Sequence, residues 1–325
     1  MVNQDLLNRL SGAGLLSKEA EVLDQVSTGS YALNKVVSGN YTGGIPVGGI
    51  TQFIGDSSTA KTVFVTHILR EAQVKGYYTI LIDSENAYNS KFASSLGLDP
   101  GKLIYAAPET LEDCFETMES LIKQIRETDK DTPIVIGYDS IAVSPVRSEY
   151  NAENYDRNNM QGAQRAMVMG SCLRSINPRL RRDNVALVVV NQLRTKVGQM
   201  YGDPNTAAAG GRSLDYYLMV NLKTLSAKSE RIEDENKQVI GISGRVKNQK
   251  NKLTVPFQEC EFKLLFDQGL TAHYGLLDSF VRAGVVTKSG AWYQYKEGTK
   301  FQKKTFEEGI GTPEFAWIEE EINNG

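Results

Sequence analysis

Gly55-Asp56-Ser57-Ser58-Thr59-Ala60-Lys61-Thr62 stands between the apolar run GGITQFI and the helical pattern VFVTHILREAQVK. A loop that feeds a helix N-terminus aims unpaired backbone N–H groups and the positive end of the helix dipole at one point, which suits a chain of phosphates. A lysine placed here can meet β- and γ-phosphate oxygens, and the hydroxyl of the next residue can ligate Mg²⁺. Lys61 and Thr62 are therefore expected to hold a magnesium nucleotide. Ala60 occupies a position where this pattern usually has a second glycine. Alanine fits if φ stays negative there, which predicts a slightly stiffer loop.

The remaining parts of a nucleotide hydrolase belong at the carboxyl ends of neighbouring strands, because ligands of open α/β sheets sit there. Asp139 ends the run PIVIGYD and can hold Mg²⁺ through water, or else cap a helix. Glu85 lies two residues beyond the run YYTILID and can orient or deprotonate a water in line with the γ-phosphate. Asp83 ends the same run and competes for the role. The need to project past the strand favours Glu85.

The elements that must carry these groups follow from periodicity. The runs 77–83, 133–139 and 185–191 are short and almost wholly apolar, as in parallel strands covered on both faces. Between them, Leu111, Cys114, Phe115, Met118, Leu121, Ile122 and Ile125 recur at helical spacing, predicting an amphipathic helix over 109–127 that starts near Thr110. Strand and helix alternate from about residue 50 to 222, the mark of an α/β layered domain with right-handed crossovers. The polar tract from Ala227 to Lys237 reads as a β-hairpin tip. Residues 1–30 read as a small helical arm, 31–270 as the core, and 271–325 as a compact α/β appendage with AWYQY at its centre and an acidic tail.

A chain of 325 residues is long enough for a sizeable core, and its 23% charged and 41% hydrophobic residues exclude a disordered or collagenous class. The longest aliphatic stretch, Val185 to Val190, falls far short of the roughly 20 residues of a membrane-spanning helix. The N-terminus lacks a basic start followed by an apolar core, so no secretory signal is expected and the reading is cytoplasmic. Cys114, Cys172 and Cys260 have no metal-ligand spacing and read as buried or idle thiols. Net charge is only −3, yet seven arginines fall between Arg147 and Arg182 against three acids. Arg245, Lys247, Lys250 and Lys252 form a second basic cluster, and six glutamates follow Lys304. Such runs are either a basic face for a polyanion or solvated helix faces.

Several segments together resemble the RecA family of homologous recombinases. VSTGSYALN, GGIPVGGITQFIGDSSTAKT, LIDSENAYNSKFASSLGLD, VIGYDSIAVSP, VVVNQLRTKVGQMYGDPNTAAAGGRSLDYY, KNKLTVPFQECEF and GAWYQYK occur in family order, from about residue 26 to 300. NQLRTKVGQMYGDP followed by a Gly-Gly pair is the most specific of them. The short arm and altered phosphate loop resemble a phage-type member, which would act in the cytoplasm of a bacterial host. The resemblance implies a RecA-type P-loop ATPase core with a mostly parallel sheet, using ATP and Mg²⁺. It implies that Glu85 is the catalytic glutamate, that Asp139 is the second-motif aspartate, and that Phe92 stacks on adenine. Gln192, at the end of its strand, matches the glutamine that senses the γ-phosphate; its amide can couple phosphate state to the order of the loop it opens.

The family's two DNA-binding loops fall on two segments that read as long irregular connections, 146–160 and 194–211. Arg165, Arg174, Arg194, Lys196 and Arg212 can neutralise phosphates there, and Gly210 and Gly211 offer unhindered N–H groups. Val197 matches an aliphatic wedge between base triplets, with Thr195 where a larger apolar partner is common. Lys250 and Lys252 match lysines that reach a neighbouring subunit's ATP, and Tyr216 an aromatic switch in the same interface. A head-to-tail contact of that kind generates an open helix. The implied activity is ATP-dependent recombination: a filament on single-stranded DNA that pairs with homologous duplex and exchanges strands, with single-strand-binding and loader proteins as possible partners and no membrane. Two alternatives are a ring-forming helicase motor and a non-catalytic ATP-binding regulator; the Lys250/Lys252 pair speaks against the first, and the Lys61, Glu85 and Asp139 set against the second.

Overall fold

The computed structural model describes residues 24–151, 160–195, 205–207, 211–225 and 231–325. Its first elements are strand β1 (Gln25–Val26), helix α1 (Tyr31–Ser38), and strands β2 (Ile45–Pro46) and β3 (Gly49–Gly55). Then come α2 (Lys61–Val74), β4 (Tyr78–Asp83), α3 (Ser90–Ser95), β5 (Leu103–Ala106), α4 (Leu111–Thr128) and β6 (Ile134–Asp139). The chain continues through α5 (Arg147–Tyr150), α6 (Met160–Arg182), β7 (Val185–Thr195), β8 (Asn205–Ala207), α7 (Gly211–Tyr217) and β9 (Leu218–Leu225). It then forms β10 (Arg231–Glu233), β11 (Val239–Asn251), β12 (Glu259–Leu265) and β13 (Gly269–Leu270). Helix α8 (Leu276–Arg282), strands β14 (Val286–Ser289) and β15 (Trp292–Tyr295), and helices α9 (Lys303–Gly309) and α10 (Trp317–Asn324) complete it.

One large sheet runs in the order β13-β12-β11-β9-β3-β7-β6-β4-β5. The six strands from β9 to β5 pair in parallel, while β11, β12 and β13 extend one edge antiparallel. The expected α/β class is what forms, because the apolar runs are buried on both faces. On one face Phe53, Val188, Val190 and Val220 pack with Phe64, Val65 and Ile68 of α2. On the other, Ile80, Ile136, Leu187 and Val189 pack with Phe115, Met118 and Ile122 of α4 and with Leu173 and Ile176 of α6. Helix α4 begins where the sequence places it, with the Thr110 side chain accepting from the Asp113 N–H.

Two boundaries differ from expectation. Residues 25–30 belong to the core rather than a helical arm: β1 pairs with β2, and Val26 is wholly buried because its side chain completes the α2 face. Residues 1–23 lie outside the described part. The tract 227–237 is more than a hairpin tip, since Arg231–Glu233 forms a strand of its own along β11 and the tight turn falls at Asp234–Gln238. Between β9 and β11 the register shifts: Asn248 faces Leu222, Gln249 is extra, and Lys250 faces Asn221. The segment from Leu276 onward builds a third hydrophobic cluster around Phe280, Tyr293, Phe301 and Phe315, seated on Tyr41. No helix among the described residues is long and apolar enough to cross a membrane.

Candidate functional site

Register brings the carboxyl ends of five strands together. Gly55 pairs with Gln192 on one side and Thr224 on the other, and Asp83 pairs with Asp139. Gly55 has no room for a side chain, since a Cβ there would stand 2.3 Å from Thr224 Oγ1 and 2.6 Å from its carbonyl oxygen. The loop it opens is pinned by Thr59, whose hydroxyl donates to the Asp56 carbonyl and lies 2.8 Å from Thr224 Oγ1. Asp56, Ser57 and Ser58 are exposed.

Ala60 corrects the expectation of a negative φ. It has φ 65° and ψ 15°, next to Ser58 at φ 62°. The chain must turn from β3 into α2 within a few residues while the Ala60 carbonyl already accepts the Phe64 N–H, and loop closure overrides the alanine preference. Holding an L-residue left-handed costs ~1–2 kcal/mol.

Lys61 is buried and its ammonium donates to the Asp56 carbonyl at 2.5 Å, inside its own loop. Burial lowers its pKa, while Asp139, Asp56 and Glu85 act in the opposite sense. Thr62 Oγ1 donates to Asp139 Oδ2 at 2.6 Å. Burial first, then the charges of Glu85 and Asp83, raise the Asp139 carboxyl to about 6. A hydroxyl and a buried carboxylate in contact form an all-oxygen pair that suits a hard divalent ion completed by water and phosphate. No cluster of three or more His, Cys, Asp or Glu able to hold a metal occurs among the described residues.

The two carboxylates that competed for water activation have different surroundings. Asp83 is turned into its own loop, accepting from the N–H groups of Glu85, Ala87 and Tyr88 and from the Tyr105 hydroxyl. Glu85 stands on the loop so formed and is exposed; its Oε1 accepts from Ser140 Oγ at 2.6 Å and Gln192 Nε2 at 3.3 Å. Ser140 and Thr224 are site residues that the sequence reading did not single out; a lone hydroxyl beside an apolar run gives no periodic signal. Gln192 does not end its strand as expected, for β7 continues to Thr195 and pairs with β8 in a hairpin. Phe92 is on α3, capped by Asn89, with its side chain over a third exposed.

The polyanion-facing candidates are scattered. The first expected loop opens with the short helix α5, where Arg147 pairs with Asp113 and Glu116, each at 2.5 Å. Arg165 does not point to solvent for phosphates: its Nη2 donates to the carbonyls of Ile141 and Ala142 at 3.0 Å. Arg179 pairs with Glu119 of α4 and Arg182 with the adjacent Asp183, so much of this run is matched to acids. Arg174 is exposed on α6. In the second segment Arg194 pairs with Thr206 across the β7–β8 hairpin, and Gly211 and Arg212 begin α7, so the ends of 194–211 are regular rather than irregular. Lys196, Val197 and Gly210 lie outside the described residues.

Lys250 and Lys252 meet the exit of α7: Lys250 Nζ donates to the Asp215 carbonyl and Lys252 Nζ to the Tyr216 carbonyl at 3.4 Å. Burial, then Lys252, lowers the Lys250 pKa. Tyr216 is 74% exposed.

Residues 10–271 match the RecA N-terminal domain family. A RecA protein of Aquifex pyrophilus is 34% identical over 283 residues, covering 87% of this chain and 77% of its own. RecA proteins of Brucella anthropi and Brucella canis are each 36% identical, covering 86% and 84% of this chain and 74% and 71% of theirs.

Proposed function

Because this chain belongs to the RecA family, we propose that its sheet-end cluster binds ATP with Mg²⁺ and hydrolyses it, driving a filament on single-stranded DNA that pairs with homologous duplex. Membership makes the protein an ATP-dependent recombinase of DNA recombination and repair and a DNA-dependent ATPase; a helicase motor or a non-catalytic regulator is not favoured.

The observation that carries the reading is Glu85, an exposed carboxylate braced by Ser140 and Gln192 across three strand ends beside the phosphate loop. In this proposal residues 55–62 cradle the phosphates, Lys61 leaves the Asp56 carbonyl to meet the terminal oxygens, and Thr62 and Asp139 hold Mg²⁺. The ion, when bound, neutralises charge on the phosphate oxygens. Glu85 orients and deprotonates the attacking water, with Ser140 and Gln192 fixing its carboxylate. Phe92 contributes the adenine contact. Lys250, Lys252 and Tyr216 act across a head-to-tail boundary, which makes hydrolysis depend on assembly. Arg174, Arg194, Lys196, Val197, Gly210, Gly211 and Arg212 form the DNA face; Arg165 positions α6 against the strand end that holds Asp139. A domain limit near residue 270, a cytoplasmic setting, and single-strand-binding or loader partners belong to the same proposal.

Electron microscopy with single-stranded DNA and a non-hydrolysable ATP analogue tests it. Helical filaments are expected; closed rings or unassembled protein reject it.

A further inference from the structure

Polar side chains are rare inside these strands, yet three amides touch one another. Asn191 on β7 is wholly buried, and Gln52 on β3 nearly so. The Gln192 N–H donates to Asn191 Oδ1 at 2.9 Å, and Asn191 Nδ2 donates to Gln52 Oε1 at 2.9 Å. Gln52 Nε2 in turn donates to Asn221 Oδ1 on β9, again at 2.9 Å. Every bond runs in the same sense, donor toward β9, so each amide presents its oxygen to one neighbour and its NH₂ to the next. A buried amide robbed of its partner keeps its full desolvation cost, so the row is favoured intact rather than in part. It begins at the residue beside Glu85 and ends at the Cα partner of Lys250.

We propose that Asn191, Gln52 and Asn221 are positioning residues for ATP hydrolysis, a row of amides that fixes the Gln192 backbone relative to the strand bearing Lys250. The inference rests on the roles given above to Gln192 and Lys250. Purely apolar residues at these places would fill the space equally well but would leave the backbone ladder alone to set the separation of the two strand tips. The bond directions make the proposal specific: Asn221 is needed as an oxygen acceptor, and Gln52 as both acceptor and donor.

The test compares Asn221→Leu, Asn221→Asp, Gln52→Met and Gln192→Ala by melting temperature, ATP KM, and kcat with and without single-stranded DNA. Leucine matches asparagine in size but accepts nothing, whereas aspartate keeps the oxygen that Gln52 addresses. We expect Asn221→Leu and Gln52→Met to lose about tenfold in DNA-stimulated kcat with ATP KM changed less than about twofold, and Asn221→Asp to restore most of the stimulation. Equal losses in the leucine and aspartate variants, wild-type stimulation in Gln52→Met, or KM rising in step with the fall in kcat would each overturn it. If Gln52→Met does not fold, the half-buried Asn221 pair carries the test alone. Loss in Gln192→Ala with none in the amide variants sinks this inference only; full stimulation in Gln192→Ala rejects the parent reading as well.

Discussion

Two lysine sites in this molecule are built on opposite plans. Lys61 is buried, folded onto a carbonyl of its own loop, and surrounded by Asp56, Glu85 and Asp139 of the same chain. Lys250 and Lys252 stand at the antiparallel side of the sheet and hold backbone carbonyls at the end of α7. The first cation has three carboxylates within reach; of the second pair, Lys250 feels the repulsion of Lys252 and the attraction of Asp215. Under the function proposed above, the first site binds nucleotide with groups of one chain, whereas the second parks on a helix end the cations it would offer to a neighbour.

The sharpest way to break this contrast is Glu85→Gln, which keeps size and hydrogen bonding but cannot take a proton. Steady-state hydrolysis should fall by roughly 10²–10⁴ while nucleotide affinity in an equilibrium titration is retained. Unchanged turnover rejects the role. Lys250→Ala with Lys252→Ala should abolish DNA-stimulated hydrolysis but shift stability by no more than about 1 kcal/mol, the scale of a cation at a helix C-terminus. A mutant that hydrolyses normally would remove the distinction between the two sites.

A third effect is read by pH. The Asp139 carboxyl is raised to about 6 from 3.8, so between those values the folded, nucleotide-free protein binds more protons than the unfolded chain. This group therefore stabilises the fold on the acid side, and that contribution disappears as pH rises through about 6. Asp139→Asn should raise the melting temperature at pH ~7.5 and have progressively less effect toward pH ~4, in the absence of Mg²⁺ nucleotide. An unchanged melting temperature at both pH values argues against a strained carboxylate. Smallest is Ala60→Gly, which relieves a left-handed alanine but adds backbone freedom to the unfolded chain; a net gain of ~1 kcal/mol or less in chemical denaturation is expected. Destabilisation would show that the alanine methyl makes contacts that outweigh its backbone cost.

The strands and the phosphate loop were legible because they follow local rules: apolar runs bounded by turn residues, and a glycine-led loop feeding a helix. That Glu85 projects and Asp83 does not was legible too, since only a residue past the strand end has room to project. The sign of φ at Ala60 was not, because loop closure between Gly55 and α2 fixes it rather than residue preference. Nor was the extension of β7 past Gln192, where Arg194 and Thr195 join the ladder only because β8 returns alongside. Charge counts misled most: Arg147 and Arg179 look like part of one basic face along the sequence, yet in space Asp113, Glu116 and Glu119 of α4 answer them. Ser140, Thr224 and the amides of Gln52, Asn191 and Asn221 carry no spacing signal, being recruited across strands far apart in sequence.

The extra residue at Gln249 sets the parity of everything after it. Side chains alternate along a strand, so with Asn248 opposite Leu222 an unbroken ladder would place Lys250 opposite Val220, whose side chain is wholly buried against α2. One inserted residue moves the reading frame by a single step, setting Lys250 opposite Asn221 instead. In this strand a lysine escapes the hydrophobic core by counting: an insertion of one, which alters no side chain, decides whether two charges meet oil or water.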